Sequence, residues 1–329
     1  MREPAFWRRP GSAAERLLAP LSALYGAIAA GRMAGSGYDA GIPVLCIGNL
    51  TLGGAGKTPT AIAAAKLLAD AGGKPAVLSR GYGGRLHGPV WVDPAVHAAA
   101  DVGDEPLLLA QAAPTVVARN RPAGAKAARD KGASVIVMDD GFQNPSLRKD
   151  ASLLVVDASN GIGNGRVFPA GPLRAPLAAQ LARAQALLVI GEGTAAQPVV
   201  AAAGPLPLFH GRLVPDARTV SELAGRPVLA FAGIGSPEKF FATLRAAGAV
   251  VRATRAFSDH HRYGAVDAGE LLGQARRDGL SLVTTEKDMV RLRGAGDLAA
   301  LAEATRALPV QLVVTEAEAF RSFVLTRGV

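Results

Sequence analysis

The chain has 329 residues, of which 49% are hydrophobic and 19% are charged, a balance that excludes a disordered polypeptide and favours two unequal packed lobes. Its single cysteine, Cys46, excludes an intramolecular disulfide and a Cys-rich zinc site and fits a reducing cytosol. The formal net charge of +9 favours a polyanionic partner, which is a nucleic acid, a nucleotide or an anionic membrane surface.

The amino-terminal segment, residues 1–35, has the pattern of an amphipathic helix at a membrane surface. Ser12 and Glu15 form a capping-box pattern, and apolar residues then recur on one helical face: Leu17, Leu21, Leu24, Tyr25 and Ile28. Basic residues outnumber acidic ones here: Arg2, Arg8, Arg9, Arg16 and Arg32 against Glu3 and Glu15. Phe6 and Trp7 are expected at the headgroup level.

The uncharged part of this segment, residues 17–31, is shorter than the roughly 20 residues that a membrane-spanning helix needs. We therefore expect the helix to lie on a bilayer without crossing it. Two alternatives remain, an ordinary helix packed on the core and a signal peptide. The signal peptide is disfavoured by the glycine-rich segment at residues 48–59, because the role predicted for it below could not be performed after export.

Between residues 36 and 210, short β-branched apolar runs alternate with Ala- and Leu-rich segments. Six runs are predicted strands: Pro43 to Ile47, Ala76 to Leu78, Thr115 to Ala118, Val135 to Met138, Leu153 to Val156 and Ala186 to Ile190. The segments between them are predicted helices: 58–71, 104–112, 121–131 and 176–184. This alternation predicts an α/β fold, with a mostly parallel sheet, helices on both faces and ligands at the carboxyl ends of the strands.

Around residues 192–218 the alternation loosens into a Gly-, Pro- and Ala-rich stretch with one predicted strand, Pro207 to Leu213. A second α/β set follows. Its predicted strands are Val228 to Ala232, Ser281 to Thr284 and Val310 to Val314, and its helices cover 237–247, 266–278, 297–306 and the residues after Glu316. We therefore expect a core over residues 36–210 and a smaller α/β carboxyl-terminal lobe over residues 211–329.

A glycine-rich segment, residues 48–59 (GNLTLGGAGKTP), lies between a predicted buried strand and a predicted helix. Glycines allow successive backbone N–H groups to point at a phosphate, and the start of the helix adds its positive end. Against the pattern G-x-x-x-x-G-K-[ST], only the first glycine departs, as Thr51. The predicted nucleotide-binding residues are Thr51, Leu52, Gly53, Gly54, Ala55, Gly56, Lys57 and Thr58.

In this interpretation Lys57 reaches the β- and γ-phosphates of ATP, and the Thr58 hydroxyl binds magnesium. The alternative is a glycine-rich turn in which Lys57 is merely solvated. The run Val135 to Asp140 ends in two acids, as in a Walker B strand, which favours the first interpretation. The predicted Mg²⁺ ligands are Thr58, Asp139 and Asp140.

Four further segments collect polar groups that the fold is expected to bring together. They are Ser79 to Arg85 (SRGYGGR), Gly103 to Pro106 (GDEP), Gly171 to Arg174 (GPLR) and Asp259 to Tyr263 (DHHRY). Each has an ordinary alternative, since an Asp before Glu-Pro can cap a helix, an Arg can form an exposed ion pair and a His pair can form a surface turn. A zinc site is not expected, because the other histidines lack ligand spacing.

Eight motifs run in order from residue 48 to residue 288: GNLTLGGAGKTP, SRGYGG, GDEP, DDGFQN, FPAGPLR, FAGIGSPEKFF, FSDHHRY and TTEKD. In these motifs, over nearly the whole chain, the sequence resembles the tetraacyldisaccharide 4'-kinases of lipid A biosynthesis. Two positions depart from the family pattern: Asn144 stands where His is expected, and Ala175 where Glu is expected.

The resemblance implies a P-loop NTPase-type core, a smaller carboxyl-terminal lobe and a membrane-associating first helix. It implies transfer of the ATP γ-phosphate to the 4'-hydroxyl of tetraacyldisaccharide 1-phosphate, which gives lipid IVA. The family's catalytic Asp falls on Asp104, and its partner histidine falls on His260 or His261, of which we favour His261. The implied location is the cytoplasmic face of the bacterial inner membrane, as a peripheral protein.

The expected mechanism follows from these assignments. Asp104 accepts the proton of the sugar hydroxyl, and a histidine hydrogen-bonded to Asp104 orients it and raises its basicity. Lys57 and Arg174 offset the charge on the transferring phosphate. Because Asp104 and the histidines lie in different predicted lobes, closure of the lobes is expected to assemble the site.

Two other functions compete with the kinase. One is a P-loop ATPase or GTPase that acts as a switch or a partner-delivery protein. The base-reading motif of GTPases is absent, however, since Thr285 to Asp288 lacks its spacing. A nucleic-acid protein is the other, and it is disfavoured because aromatic residues are only 5% and no Lys-rich run exists. We predict no nucleic-acid partner and no protein partner.

Overall fold

A computed structural model describes residues 4–294 and 296–327 of the chain. Their strands are β1 (Val44–Asn49), β2 (Pro75–Ser79), β3 (Val90–Trp91), β4 (Thr115–Val117), β5 (Val135–Asp139), β6 (Ala151–Asp157), β7 (Ala186–Ile190), β8 (Leu208–Pro215), β9 (Pro227–Ala232), β10 (Val250–Ala256), β11 (Ser281–Thr285), β12 (Thr305–Leu308) and β13 (Val310–Val314).

The α-helices are α1 (Ala13–Met33), α2 (Lys57–Asp70), α3 (Ala99–Val102), α4 (Asp104–Ala110), α5 (Arg121–Asp130), α6 (Leu177–Leu181), α7 (Gln197–Ala203), α8 (Ala217–Leu223), α9 (Pro237–Ala246), α10 (Ala265–Asp278), α11 (Glu286–Leu292), α12 (Ala299–Ala304) and α13 (Ala317–Arg327). Two short 3₁₀ helices cover Ala5–Arg8 and Gly296–Leu298.

The larger sheet has nine strands in the order β13-β8-β7-β6-β1-β5-β2-β4-β3. All neighbouring pairs are parallel except the two at the edges, where β13 runs antiparallel to β8 and β3 to β4. Along β1, Val44 and Cys46 face one apolar layer while Leu45 and Ile47 face the other, because successive side chains point to opposite faces of a strand. The predicted α/β class, with a mostly parallel sheet buried on both faces, is confirmed.

The smaller sheet has four parallel strands in the order β10-β9-β11-β12 and its own apolar layers on both faces. The predicted division into residues 36–210 and 211–329 does not follow sheet membership. Residue 210 lies inside β8, while β13 pairs along β8 and α13 packs on α2 through Phe320 and Val324. The chain therefore returns to the larger sheet at its end, a long-range pairing that local hydropathy does not encode.

Helix α1 begins after Ser12, whose Oγ accepts a hydrogen bond from the backbone N–H of Glu15, as the capping pattern predicted. One side of the helix packs on residues 166–176, with the Ser22 hydroxyl donating to the carbonyl of Val167 at 2.6 Å. The opposite side exposes large apolar residues: Leu17, Leu21, Leu24, Tyr25 and Ile28. Among the described residues, no helix is long and apolar enough to cross a membrane.

Trp7 differs from its expected place at the headgroup level. Its ring is buried, and its Nε1 donates to the carbonyl of Pro169 at 3.0 Å. The reason is that the indole N–H finds a fixed acceptor inside the fold while the ring packs edge-on against Phe168. The charged residues counted in this segment also included Arg2 and Glu3, which lie outside the described residues.

Candidate active site

The glycine-rich segment forms a loop between the end of β1 and the start of α2. Gly53 and Gly56 have φ angles of 106° and 87°, which only glycine adopts without strain. The buried Asn49 holds the loop from below, because its Nδ2 donates to the carbonyls of Thr51 at 2.8 Å and Gly53 at 3.0 Å. Helix α2 begins directly after the loop, at Lys57, so that its positive end faces the same space.

Lys57 and Thr58 are both buried at this helix start. The Nζ of Lys57 lies 3.4 Å from the carbonyl oxygen of Gly53 and 3.8 Å from Oδ2 of Asp140. Burial lowers the pKa of the Lys57 ammonium, and the nearby charge of Asp140 opposes that effect. A buried ammonium with so few partners is suited to pair with a phosphate group.

The GPLR segment lies against the glycine-rich loop, which is predicted to bind phosphate and is called the phosphate loop below. The backbone N–H of Leu52 in this loop donates to the carbonyl of Pro172 at 2.8 Å. The Arg174 guanidinium donates from Nη1 to Oδ1 of Asp140 at 2.8 Å and from Nη2 to Oδ2 at 3.2 Å. Its Nε donates to the carbonyl of Thr51 at 2.9 Å. Arg174 therefore joins the loop to the end of β5, and Asp140 already carries a bidentate ion pair.

Asp139, the last residue of β5, is in the opposite situation. It is buried, and neither of its carboxylate oxygens has a hydrogen-bond partner among the described residues. Burial, together with the nearby charges of Glu105 and Asp140, raises the pKa of Asp139 to about 7, while the charge of Lys57 opposes this shift. An unpartnered buried carboxylate is costly unless a cation approaches it.

The described side chains do not hold a metal ion unaided, since no group of three or more His, Cys, Asp or Glu residues is arranged to do so. Magnesium does not require such a cage, because it usually keeps several waters and binds one or two carboxylates together with substrate phosphates. A hydroxyl at Thr58 and two unpartnered oxygens at Asp139 fit that donor set.

Asp104 begins helix α4, following Gly103 with its φ of 94°. Its side chain is only 4% exposed. Oδ1 accepts the backbone N–H of Glu105 at 2.9 Å, and Oδ2 lies 3.2 Å from Nδ1 of His260. His260 lies in the turn after β10, a strand of the smaller sheet, so its contact with Asp104 joins the two lobes. Asp104 is therefore more than a simple helix cap.

The preference for His261 over His260 is wrong in this structure. The Nε2 of His261 lies 3.0 Å from Oδ2 of Asp267, and the ring stacks on Phe257 at 4.6 Å. His260 has a φ of 56°, so adjacent side chains in this turn point in different directions. His260 faces Asp104, and His261 supports its own lobe.

Sequence reasoning missed Arg291, which also contacts Asp104. Its Nε donates to Oδ2 of Asp104 at 2.8 Å, and its Nη2 donates to the same oxygen. One turn earlier on α11, the Nζ of Lys287 donates to Oε1 of Glu105 at 2.6 Å. The signal was present in the sequence as two basic residues four apart, which share one face of a helix.

These neighbours determine the ionisation of the Asp104 carboxyl. Burial alone would raise its pKa, but the hydrogen bond with His260 and the charges of Arg291 and Lys287 outweigh burial and lower the pKa well below its usual range. The expectation that the histidine raises the basicity of Asp104 is therefore wrong here. In return, the hydrogen bond with Asp104 raises the pKa of His260, against the opposing effect of burial.

The SRGYGGR segment closes over the start of α4. A Cβ at Gly84 would lie 2.6 Å from the carbonyl oxygen of Asp101, so only glycine permits this approach. Tyr82 is exposed, and its ring contacts that of His260 edge-on, with 5.3 Å between the centroids. The structure thus brings the SRGYGGR, GDEP and DHHRY segments to Asp104, and GPLR to the phosphate loop.

Comparison with known proteins gives consistent matches. Residues 14–328 match the model of the LpxK family, tetraacyldisaccharide-1-P 4'-kinase. A tetraacyldisaccharide 4'-kinase from Bradyrhizobium sp. strain BTAi1 is 58% identical over 99% of this chain and 95% of its own length. One from Methylobacterium sp. strain 4-46 is 61% identical over 97% of this chain and 95% of its own length.

A solved structure of LpxK from Aquifex aeolicus in complex with ATP has a TM-score of 0.74 to this chain and is 26% identical to it. The match covers 96% of this chain and 99% of that one. The likeness thus extends over nearly the whole of both chains.

Proposed function

Because this chain belongs to the tetraacyldisaccharide 4'-kinase family, and so transfers the γ-phosphate of ATP to the 4'-hydroxyl of its acceptor, we propose that Asp104 is the general base of that transfer. The observation that carries the proposal is a buried carboxylate at the junction of the lobes, paired with His260. Helix α4, which Asp104 begins, also packs against α2, the helix that begins at Lys57.

The chemistry assigned to Asp104 is a single proton transfer. A bond forms between the 4'-oxygen and the γ-phosphorus, the bond from that phosphorus to the β,γ-bridging oxygen breaks, and ADP leaves. The hydroxyl proton passes to the carboxylate of Asp104. A weak base is sufficient, because the transition state of phosphoryl transfer is loose and the hydroxyl becomes more acidic as its oxygen approaches phosphorus.

Lys57 and the backbone N–H groups of the loop bind the β- and γ-phosphates in this proposal. Arg174 has two roles, as it fixes Asp140 and presents a cation beside the loop. Both cations are in place before the reaction, so they stabilise developing charge without reorganisation.

Magnesium is the metal that the site fits. Thr58 and Asp139 would bind it, and Asp140, which Arg174 holds beside the loop, would add its charge to the site. When bound, the ion neutralises charge on the phosphate oxygens. The residues themselves position the nucleotide and exclude water.

The acceptor is a lipid, and helix α1 is the proposed contact with the membrane that carries it. Its exposed apolar face, where Leu17 is 81% exposed, is suited to enter the headgroup region of the inner membrane. The proposed location is the cytoplasmic face, where ATP is available. There the enzyme acts as a peripheral membrane protein whose two lobes close over the nucleotide.

An open cleft of about 630 Å³ beside α1 is a candidate for the anionic part of the acceptor. Arg32, Arg119 and Arg121 line it together with Asn144, and no acidic side chain from the described part of the chain does. We assign the 1-phosphate of the disaccharide to this cleft, because an arginine guanidinium can bind two phosphate oxygens at once.

Asp104→Ala tests the proposed base. We expect kcat to fall at least about a hundredfold in an assay with ATP and detergent-solubilised acceptor. ATP affinity, measured by calorimetry, should remain near that of the wild type because the phosphate loop is untouched. Full turnover by the variant would remove Asp104 from the mechanism.

A further inference from the structure

Helix α11 brings two cations from the carboxyl-terminal lobe onto α4, the helix that begins with Asp104. Lys287 binds Glu105, and Arg291 binds Asp104. The two cations are four residues apart and the two acids are adjacent, so one face of α11 meets the first turn of α4. Such a contact fixes α4 relative to the lobe that also supplies His260.

Arg291 is itself held firmly on the side of its own lobe. Its Nη1 donates to the carbonyl of Gly233 at 2.6 Å and to Oδ1 of Asp288 at 2.8 Å. Asp288 is fully buried, and it also accepts hydrogen bonds from the Tyr263 hydroxyl at 2.9 Å and the backbone N–H of Gly233 at 3.1 Å. The guanidinium therefore has a defined position before it meets Asp104.

We propose that Arg291 is a positioning residue for Asp104. Arg291 binds Oδ2 of the carboxylate through two N–H groups and leaves Oδ1 as the oxygen that meets the acceptor hydroxyl. The inference rests on the proposed role of Asp104. Oδ2 has three contacts, two from Arg291 and one with His260, whereas Oδ1 accepts one backbone N–H. An asymmetric set of donors of this kind fixes the rotation of a carboxylate.

The fork of a guanidinium is necessary for this task. Two of its nitrogens, Nε and Nη2, bind Asp104 while the third, Nη1, binds Asp288 and Gly233. A lysine ammonium at this position keeps the charge but loses the planar fork. Both partners are shielded from water, since the Arg291 side chain is 7% exposed and that of Asp104 is 4% exposed.

Charge gives Arg291 a second effect, on the pH dependence of turnover. The charged groups that face Asp104 are Arg291 and Lys287 from α11, His260 from the turn after β10, and Glu105 from α4 itself. An opposite charge at this distance lowers the pKa of a carboxyl by about 1–3 units. Loss of Arg291 therefore raises the pKa of Asp104. On acidification, the variant should then lose turnover at a higher pH than the wild type does.

The test compares Arg291→Gln with Arg291→Lys, and uses Arg293→Gln as the matched control, because Arg293 is exposed and lies two residues along the chain. For Arg291→Gln we expect kcat to fall about tenfold to a hundredfold and the acidic limb of the pH profile to rise by about one unit or more. For Arg291→Lys we expect a smaller fall in kcat with the acidic limb unmoved. In all three variants KM for ATP should stay within about twofold of the wild type.

The inference would be overturned if Arg291→Gln had the kcat and the acidic limb of the wild type. It would also be overturned if the acidic limb shifted equally in the Gln and Lys variants. If Arg291→Gln does not fold, as judged by circular dichroism and ATP calorimetry, Arg291→Lys decides. A lower kcat with an unmoved acidic limb then supports positioning, and wild-type kcat refutes it. Asp104→Ala in the same assay separates the two proposals. Full turnover by Asp104→Ala would refute Asp104 as the general base. Loss of turnover in Asp104→Ala together with wild-type turnover in Arg291→Gln would refute only the role of Arg291.

Discussion

The two adjacent histidines provide a matched pair of substitutions, His260→Ala and His261→Ala. His260→Ala removes the Nδ1 contact at 3.2 Å from Asp104 and the ring contact with Tyr82. His261→Ala removes a hydrogen bond to Asp267 and the stacked contact with Phe257, all within the carboxyl-terminal lobe. The first change acts on the proposed base and the second on local packing.

The expected magnitudes follow from these contacts. A hydrogen bond to a charged group contributes about 1.5–3 kcal/mol, so its loss at His260 should lower kcat about tenfold to a hundredfold. His261→Ala should cost about 1–3 kcal/mol of stability, from one hydrogen bond and one aromatic contact, with kcat within about threefold of the wild type. The His260 variant should lose no more stability than the His261 variant, because the His260 side chain is about one-third exposed.

The assay is steady-state phosphorylation of the solubilised acceptor, together with thermal unfolding of each variant by circular dichroism. Since His260 and its proton lower the pKa of Asp104, His260→Ala should also raise the pH at which turnover is lost on acidification. A large loss of turnover in His261→Ala beside normal turnover in His260→Ala would refute the assignment.

Three further changes test the nucleotide site, the metal ligand and the first helix. Lys57→Ala should lower kcat by at least about a hundredfold in the same assay, and wild-type activity would contradict the phosphate-loop assignment. Because burial raises the pKa of Asp139 to about 7, the stability that its protonated form contributes is lost as pH rises through about 7. Asp139→Asn should therefore raise the unfolding temperature of the magnesium-free protein more at pH 8 than at pH 5, and an equal change would count against an unpaired buried carboxylate. The triple change Leu17→Ser, Leu21→Ser and Leu24→Ser should weaken liposome co-sedimentation by about tenfold or more, whereas unchanged partitioning would exclude α1 as the membrane contact.

The features that the sequence predicted well are those encoded locally. The glycine-rich loop between β1 and α2 follows from glycine spacing beside an apolar run, and most strands of the larger sheet follow from short β-branched segments. The start of α1 at Ser12 follows from capping chemistry.

The features that it missed depend on distant parts of the chain. Strand β13 looked like part of the second lobe, because hydropathy does not tell which sheet an edge strand joins. The choice between His260 and His261 depends on one left-handed φ angle in a turn. Arg291 was missed because α11, with only seven residues, lacks the length over which helical periodicity is recognised.

The most direct test is a structure of the wild-type protein with a nonhydrolysable ATP analogue, magnesium and the acceptor disaccharide. We predict the 4'-oxygen within about 2.6–3.2 Å of the Asp104 carboxylate, facing a γ-phosphate that is bound at Lys57. A 4'-oxygen bound away from Asp104, with the γ-phosphate still at Lys57, would contradict the proposed base.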